Sequence, residues 1–564
     1  MKRTPIALTL ALLLGAAIAG PAGAAATAAT PAKAAAKPFL WENATVYFLV
    51  TDRFRNGDKA NDLAYGRKAD AAPLRGYMGG DLKGVTEKIK SGYFDSLGID
   101  VLWMTPPVEQ AHGSTDEGTG RSYGFHGYWT HDWTSVDANL GTEQDFRDMV
   151  DAAHARGMRV LLDVVMNHTE PSAAALPGTW PADWVRMEPP CTFKSLSTNV
   201  DCTLVPGLND VLTNSNANVA PPAFLVAKWK AEGRYEREVK ELDEFFARTG
   251  YPRAPRYYLM KWHADWVRKY GIDGFRADTI KHVEPSVWKE LRTVAEAAHD
   301  GWKRANPAKV LGDGKFFMVG ELYGYNIAHG RQFDLGGGDQ VDYYQYGFDS
   351  LINFGLVWDA KHDYETLFSK YDAALRGPLA GLSVMNYTAS HDDGYPFDPA
   401  RVKPLETATK LLLAPGAAQI YYGDETSRLL NWSDAQGDAK LRSFMNWDEL
   451  AKNARREGHK IADVRAHYSK LGLFRSAHPA VGAGVHEKIA DGPYTFKRTY
   501  EKNGISDKVV VALDVPADAD ATIKLGGAFA DGVTVKDYYS GGSAVVKNGA
   551  VTLRVKGGVA LIAR

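Results

Sequence analysis

The sequence predicts an α/β fold: a (β/α)8 TIM barrel with an inserted domain after strand 3 and a C-terminal antiparallel β-domain. Three observations carry this reading. Eight short apolar runs alternate with segments of helical periodicity, as β/α units require. After the third run a Pro-bearing stretch, 168–255, breaks the alternation and holds both cysteines. From about Ala483 the pattern changes to period-two alternation punctuated by Asn503-Gly504 and Asn548-Gly549, pairs suited to hairpin turns with positive φ.

In chain order, residues 1–24 read as a cleaved export signal. Lys2 and Arg3 precede an apolar stretch from Ile6 to about Ala19, too short to span a bilayer, and small residues follow at Ala22 and Ala24. Residues 25–38 form an Ala/Pro/Lys-rich leader. The barrel is expected over 39–167 and 256–482. Its strands are Thr45 to Val50, Val101 to Met104, Val160 to Val165, Gly274 to Ala277, Phe316 to Gly320, Leu351 to Phe354 (the weakest), Leu382 to Asn386 and Ala418 to Gly423. Thr142 to Gly157 and Arg256 to Gly271 are the clearest helices between them.

The inserted domain, domain B, spans 168–255. Cys191 and Cys202 lie close together in it, and in an exported chain such a pair favours a local disulfide over a metal site. One long helix, Ala223 to about Arg248, carries opposite charges at helical spacing and reads as a solvated face. Residues 483–564 make the C-terminal β-sandwich domain, and no later segment has the apolar length of a membrane helix.

Composition excludes some functions. A net charge of -2 and a pI near 6.7 leave no basic footprint for nucleic acid. The 15 histidines show no H-E-x-x-H spacing, which argues against a metallohydrolase. Among the aromatics, 14 Trp and 27 Tyr suit a surface that stacks on flat, hydroxylated ligands such as sugars.

The chemistry gathers where strands end. In "GIDGFRADTIKH", Gly271 to His282, strand alternation points Arg276 and Asp278 the same way. Alone, that pair is a structural ion pair. Yet Glu321 follows the fifth run and Asp392 the seventh, so three acids fall on the one face where barrel active sites lie. Two carboxylates about 5 Å apart are what retaining glycoside hydrolysis demands. Asp278, beside a guanidinium, is expected to stay ionised and attack. Glu321 has no cation adjacent in sequence and is expected to carry the raised pKa of a proton donor.

With "DVVMNH" (Asp163 to His168), "GFRADTIKH", "GEL" and "SHDD" in that order and spacing, the chain resembles the α-amylase family of glycoside hydrolases from about Thr45 onward. "YGFHGYW", Tyr123 to Trp129, looks like that family's loop before the third strand. The resemblance implies Asp278 as nucleophile, Glu321 as acid/base and Asp392 as transition-state stabiliser. It implies that Tyr128, His126, His168, Arg276 and His391 line the subsite of the sugar under attack, with Lys281 and His282 on the leaving-group side. It also implies Ca²⁺, one or two ions. One would be held by Asn167, Asp210 and the His282 carbonyl, clamping the insert to the barrel. The second would sit in a loop similar to that of cyclodextrin-forming relatives, formed by Asn56, Asp58, Asn61, Asp62, the Gly79 carbonyl and Asp81; such oxygen-only sets suit this ion.

The implied activity is exported α-amylase hydrolysis of internal α-1,4-glucosidic bonds in starch, glycogen and maltodextrins, in the periplasm or secreted. The partner is an α-glucan, with no nucleic acid and no membrane, and the chain is expected to be a monomer. The alternative is a cyclodextrin-forming transglycosylase or a debranching, neopullulanase-like member. Against cyclisation, Pro206 stands where those relatives have a central aromatic, "GEL" replaces "GEW", and one C-terminal β-domain ends the chain.

Overall fold

The computed structural model describes residues 39–175 and 180–564; the expected signal and leader lie outside the described residues. Eight parallel strands close a barrel: β1 (Thr45–Leu49), β2 (Val101–Met104), β3 (Arg159–Val164), β4 (Gly274–Ala277), β5 (Phe317–Gly320), β6 (Ser350–Asn353), β7 (Ser383–Tyr387) and β8 (Ala417–Tyr421). Every residue of these strands is buried, because helices cover the outside while side chains fill the inside. All eight match the expected runs to within two residues at each end.

Helices α1 (Leu82–Lys90), α2 (Glu143–Ala155), α3 (Pro255–Tyr270), α4 (Pro285–Ala305), α5 (Tyr364–Arg376), α6 (Pro404–Leu413) and α7 (Ile461–Ala477) pack around the barrel. Their ends follow local chemistry. Thr142 and Asp145 form a reciprocal capping box at the start of α2, and Gly271 takes the left-handed conformation that stops α3. After β5 the described chain makes short 3-10 turns and a small hairpin, Phe333–Asp334 with Gln340–Val341, before β6, so that unit lacks the long helix of its neighbours.

The insert folds around a three-stranded sheet, with Leu208–Val211 between His168–Pro171 and Val185–Arg186. Cys191 and Cys202 are disulfide-bonded. The expected single long helix is two helices, Ala223–Ala231 and Tyr235–Thr249, because Gly233 turns the chain at φ +70. Nor is that segment merely a solvated face. Lys228 bonds Glu109 and Asp132 at 2.6 Å each, and Leu242, Phe245 and Phe246 are buried.

Beyond the barrel, a six-stranded antiparallel sheet from Val485 to Ala563 faces a two-stranded one, Ala519–Lys524 with Ala550–Val555. Val510, Ile523, Leu525, Val551, Leu553 and Ile562 fill the space between them. Asn503, Gly504, Asn548 and Gly549 all have positive φ, as the Asn-Gly turns require. Among the described residues no helix is long and apolar enough to cross a membrane.

Candidate active site

Ladder hydrogen bonds continue one residue past the strands and set the acids in place. Asp278 N donates to Val164 O of β3, and Glu321 N to Ala277 O of β4. Since Arg276 lies opposite Asp163 on β3 and opposite Val319 on β5, its guanidinium reaches both sides. Nη1 bonds Asp163 at 2.9 Å and Asp278 at 2.8 Å, while Nη2 bonds Glu321 at 2.8 Å. The two acids thus share the terminal nitrogens of one planar fork, which fixes their mutual spacing.

No cation adjoins Glu321 in sequence, yet Arg276 reaches it from the neighbouring strand. What the structure corrects is the expectation that the guanidinium keeps the Asp278 pKa low. Burial outweighs Arg276, and the neighbouring Asp163 and Asp392 add to it, so the Asp278 carboxyl is pushed up to about 6. Burial likewise pushes Glu321 up to about 7, against Arg276 and with help from Asp278 and Asp392. Asp392 behaves differently. Desolvation pushes upward there too, but His391 at 2.8 Å and Arg442 together hold its carboxyl well below the usual range. Its side chain is 41% exposed, so solvent tempers that effect.

Two residues absent from the sequence expectation complete the frame. Asp163 is buried and accepts from Arg276, from Trp103 Nε1 at 3.0 Å and from Tyr128 OH at 2.8 Å. Its sequence signal was its place at the head of "DVVMNH"; the register that sets it opposite Arg276 was not legible. Thr279 donates through its backbone N to Glu321 and through its hydroxyl to Asp278, at 3.0 and 3.1 Å. It does so at φ +45, a strained value for a β-branched residue and invisible in sequence.

A cleft of about 630 Å³ opens over this frame, walled by Asp278, Glu321, Asp392, His126, Tyr128, His168, Lys281 and His282. Arg276 and His391 lie behind the wall. His391 stacks on Tyr128 at 5.3 Å, and His126 Nδ1 accepts from Tyr128 N at 3.0 Å. Burial lowers His168 and His282 to about 4, which keeps both rings neutral. His282 Nδ1 donates to Asn199 O of the insert at 3.0 Å. Phe193 from the disulfide loop and Tyr323 flank Lys281, whose Nζ lies 5.8 and 5.2 Å from their rings. Leu204 and Val205 line the cleft there, whereas Pro206 does not.

Orphaned oxygens mark both expected metal positions. Asn167 Nδ2 bonds Asp210 Oδ2 at 3.1 Å, while Asp210 Oδ1 is buried with no partner. Burial, only partly offset by Leu204 N and Asn167, pushes this carboxyl up to about 7. A buried, under-compensated oxygen cluster fits a hard cation. In the N-terminal loop, Asn56 Oδ1 and Asn61 Oδ1 are buried and unpartnered. A Cβ on Gly79 would lie 2.4 Å from Asn56 Nδ2 and 2.7 Å from Asp62 Oδ1, so only glycine fits. Asp58 and Asp81 are already engaged, the first with Lys83 at 2.6 Å and the second with the backbone of Gly57, Asp58 and Gly84. One other group among the described residues brings ligand atoms together, Glu109, His112 and His131, and no motif spacing announced it.

A closed (β/α)8 barrel with paired acids on one guanidinium at its carboxyl face defines a carboxylate-based hydrolase class. Comparison with known proteins narrows it. Residues 48–177 match the family described as alpha amylase, catalytic domain. A periplasmic alpha-amylase of Escherichia coli (strain K12) is 37% identical over 531 residues, covering 84% of this chain and 72% of that protein. A cyclomaltodextrin glucanotransferase of Niallia circulans is 24% identical over 514 residues, covering 88% and 62%. Among solved structures, the alpha-amylase of Geobacillus thermoleovorans complexed with acarbose has TM-score 0.63 at 21% identity, covering 93% of this chain and 99% of that one. CldA, a cyclomaltodextrin glucanotransferase with a three-domain ABC distribution, has TM-score 0.62 at 22% identity, covering 92% and 99%. The chain belongs to the alpha-amylase family of glycoside hydrolases.

Proposed function

We propose that the protein is exported and hydrolyses internal α-1,4-glucosidic bonds of starch-like glucans by retaining double displacement. The observation that supports this best is the single Arg276 guanidinium bonded to both Asp278 and Glu321. Burial raises both acids, so the pair shares a proton near neutral pH, and this reading places it on Glu321 with Asp278 ionised. Asp278 therefore attacks the anomeric carbon as Glu321 protonates the departing glycosidic oxygen. Glu321, now a base, takes a proton from water, which attacks the same carbon and releases Asp278. Asp392, ionised by His391 and Arg442, accepts hydrogen bonds from hydroxyls of the distorted sugar. Tyr128, held flat by Asp163 and His391, stacks beneath that ring.

Calcium would be held by Asn167, Asp210 and the His282 carbonyl, and a second ion by Asn56, Asn61, Asp62 and Gly79 with Asp58 and Asp81. It would supply a charge that ties the insert to the barrel. The periplasmic relative supports export to the periplasm or medium. A second reading, transglycosylation, draws on Phe193 and Tyr323, two exposed aromatics that offer a sugar acceptor a stacking surface beside Lys281. Domain count does not separate the two readings, since CldA has three domains.

The test is mass spectrometry after incubation with an activated, slow-deglycosylating fluoroglucoside. The reading expects one glycosyl adduct, on the peptide bearing Asp278; an adduct on Glu321, or turnover unaffected in Asp278→Asn, rejects it.

A further inference from the structure

The loop that carries His126 and Tyr128 leaves and rejoins the molecule through one antiparallel pair, Val108–Gln110 with Thr130–Val136. At this neck, one ligand atom each from Glu109, His112 and His131 lie within 4.8 Å of one another. His112 Nε2 and Glu109 Oε1 are 2.9 Å apart, a hydrogen bond between two groups that can both ligate zinc. We propose that Glu109, His112 and His131 form a transition-metal site, with Zn²⁺ the best-suited ion, which staples the two strands at the neck of the substrate loop.

A second observation points the same way. His131 Nδ1 lies 2.8 Å from Glu170 Oε1, on the insert strand His168–Pro171. A carboxylate accepts only, so Nδ1 carries a proton, which leaves Nε2 as the ring atom able to take a metal in a carboxylate–histidine–metal arrangement. Glu170 is fully buried, and its Oε2 has no hydrogen-bond partner. Lys228 Nζ bonds Glu109 Oε2 at 2.6 Å and so pins that carboxylate with Oε1 turned to His112. Charge permits a cation as well. Three buried carboxylates, Glu109, Asp132 and Glu170, lie here beside Lys228 and Arg234. Metal binding at His112 Nε2 would replace its hydrogen bond to Glu109, the ring keeping its proton on Nδ1.

Two imidazoles and one carboxylate favour zinc over calcium, which wants oxygen ligands throughout. This set therefore differs in chemistry from the calcium ligands proposed above, and it is independent of them. The ion would tie the two ends of the β2–α2 loop together, with Glu170 of the insert behind His131, and shorten the free loop from which Tyr128 projects.

The test uses the full chain, stripped with a chelator, reloaded with excess Ca²⁺ and titrated with Co²⁺ and then Zn²⁺. The expected result is one equivalent of Co²⁺ with the visible absorption of a tetrahedral site, displaced by Zn²⁺, and a Zn²⁺-dependent rise in Tm on top of that from calcium. His112→Ala, at a partly exposed position, and His131→Gln should each lose the Co²⁺ band. Glu170→Gln should weaken zinc binding by roughly 10–100-fold. Absence of a stoichiometric band in the calcium-loaded protein, or a band unchanged in folded His112→Ala, overturns the proposal.

Discussion

Two buried arginines mark the opposite ends of the barrel, and they are compensated in opposite ways. At the carboxyl end, Arg276 meets three carboxylates, and although burial opposes its charge, Asp163 and Glu321 raise its pKa. At the amino end, Arg475 donates instead to backbone carbonyls of Asn43, Leu412 and Ala414, residues just before β1 and β8. Burial, with nearby Arg498 adding to it, lowers Arg475 to about 9. Arg498 repeats the pattern between barrel and C-terminal sheet, bonding Leu413 O. Charge balanced by acids at one end makes acids of unusual pKa available to chemistry. Charge spent on carbonyls at the other end only ties off strand ends, as the stabilising face of a barrel should.

The largest expected effect comes from the acids. Asp278→Asn and Glu321→Gln should each lower kcat on soluble starch by about 10⁴-fold or more, with melting unchanged or raised, since each removes a buried ionisable group. Loss of activity together with loss of fold would erase the contrast between the two ends. Arg475→Met should do the reverse. Stranding its carbonyl partners should cost at least about 3 kcal/mol in denaturant unfolding, while kcat of the folded fraction stays within about twofold.

Much of this contrast was legible in the sequence. Continuous apolar runs gave the eight strands, and the acids at their ends gave the site. Pairing across strands was not legible. Arg276 reaches Glu321 only because β4 and β5 are neighbours in register, and Asp163 joins them only through the register of β3. Burial was the other hidden quantity, for a motif shows that Arg276 is near Asp278 but not that desolvation outweighs it. Gly233, a helix breaker, was visible and outvoted by the surrounding charge periodicity. Glu109, His112 and His131 escaped because they meet across a bulged pair with no fixed spacing.

The pH profile sharpens the comparison further. Below about 6 Asp278 gains a proton and cannot attack, and above about 7 Glu321 loses the proton it must donate. The acids titrate as a pair, so kcat/KM should trace a narrow bell with both limbs between about pH 5 and 8. A flat profile across that range would mean that burial does not tune them.

Calcium removal should have a smaller effect, on stability first. Chelation should lower Tm and calcium should restore it, while Asp210→Asn should abolish the calcium-dependent shift. Identical melts with and without verified metal would separate the insert from any ion. Smallest of all, Phe193→Ala should raise KM for maltoheptaose about two- to tenfold and reduce transfer products, leaving linear maltooligosaccharides dominant. Cyclic glucans as the main early product of the unaltered protein would favour the transferase reading.

The central claim, that Asp278 and Glu321 act as one retaining pair on a shared guanidinium, is tested most directly by NMR of the first anomer released from starch or maltoheptaose. The account predicts the α-anomer, which mutarotates only afterwards; initial release of the β-anomer would contradict it.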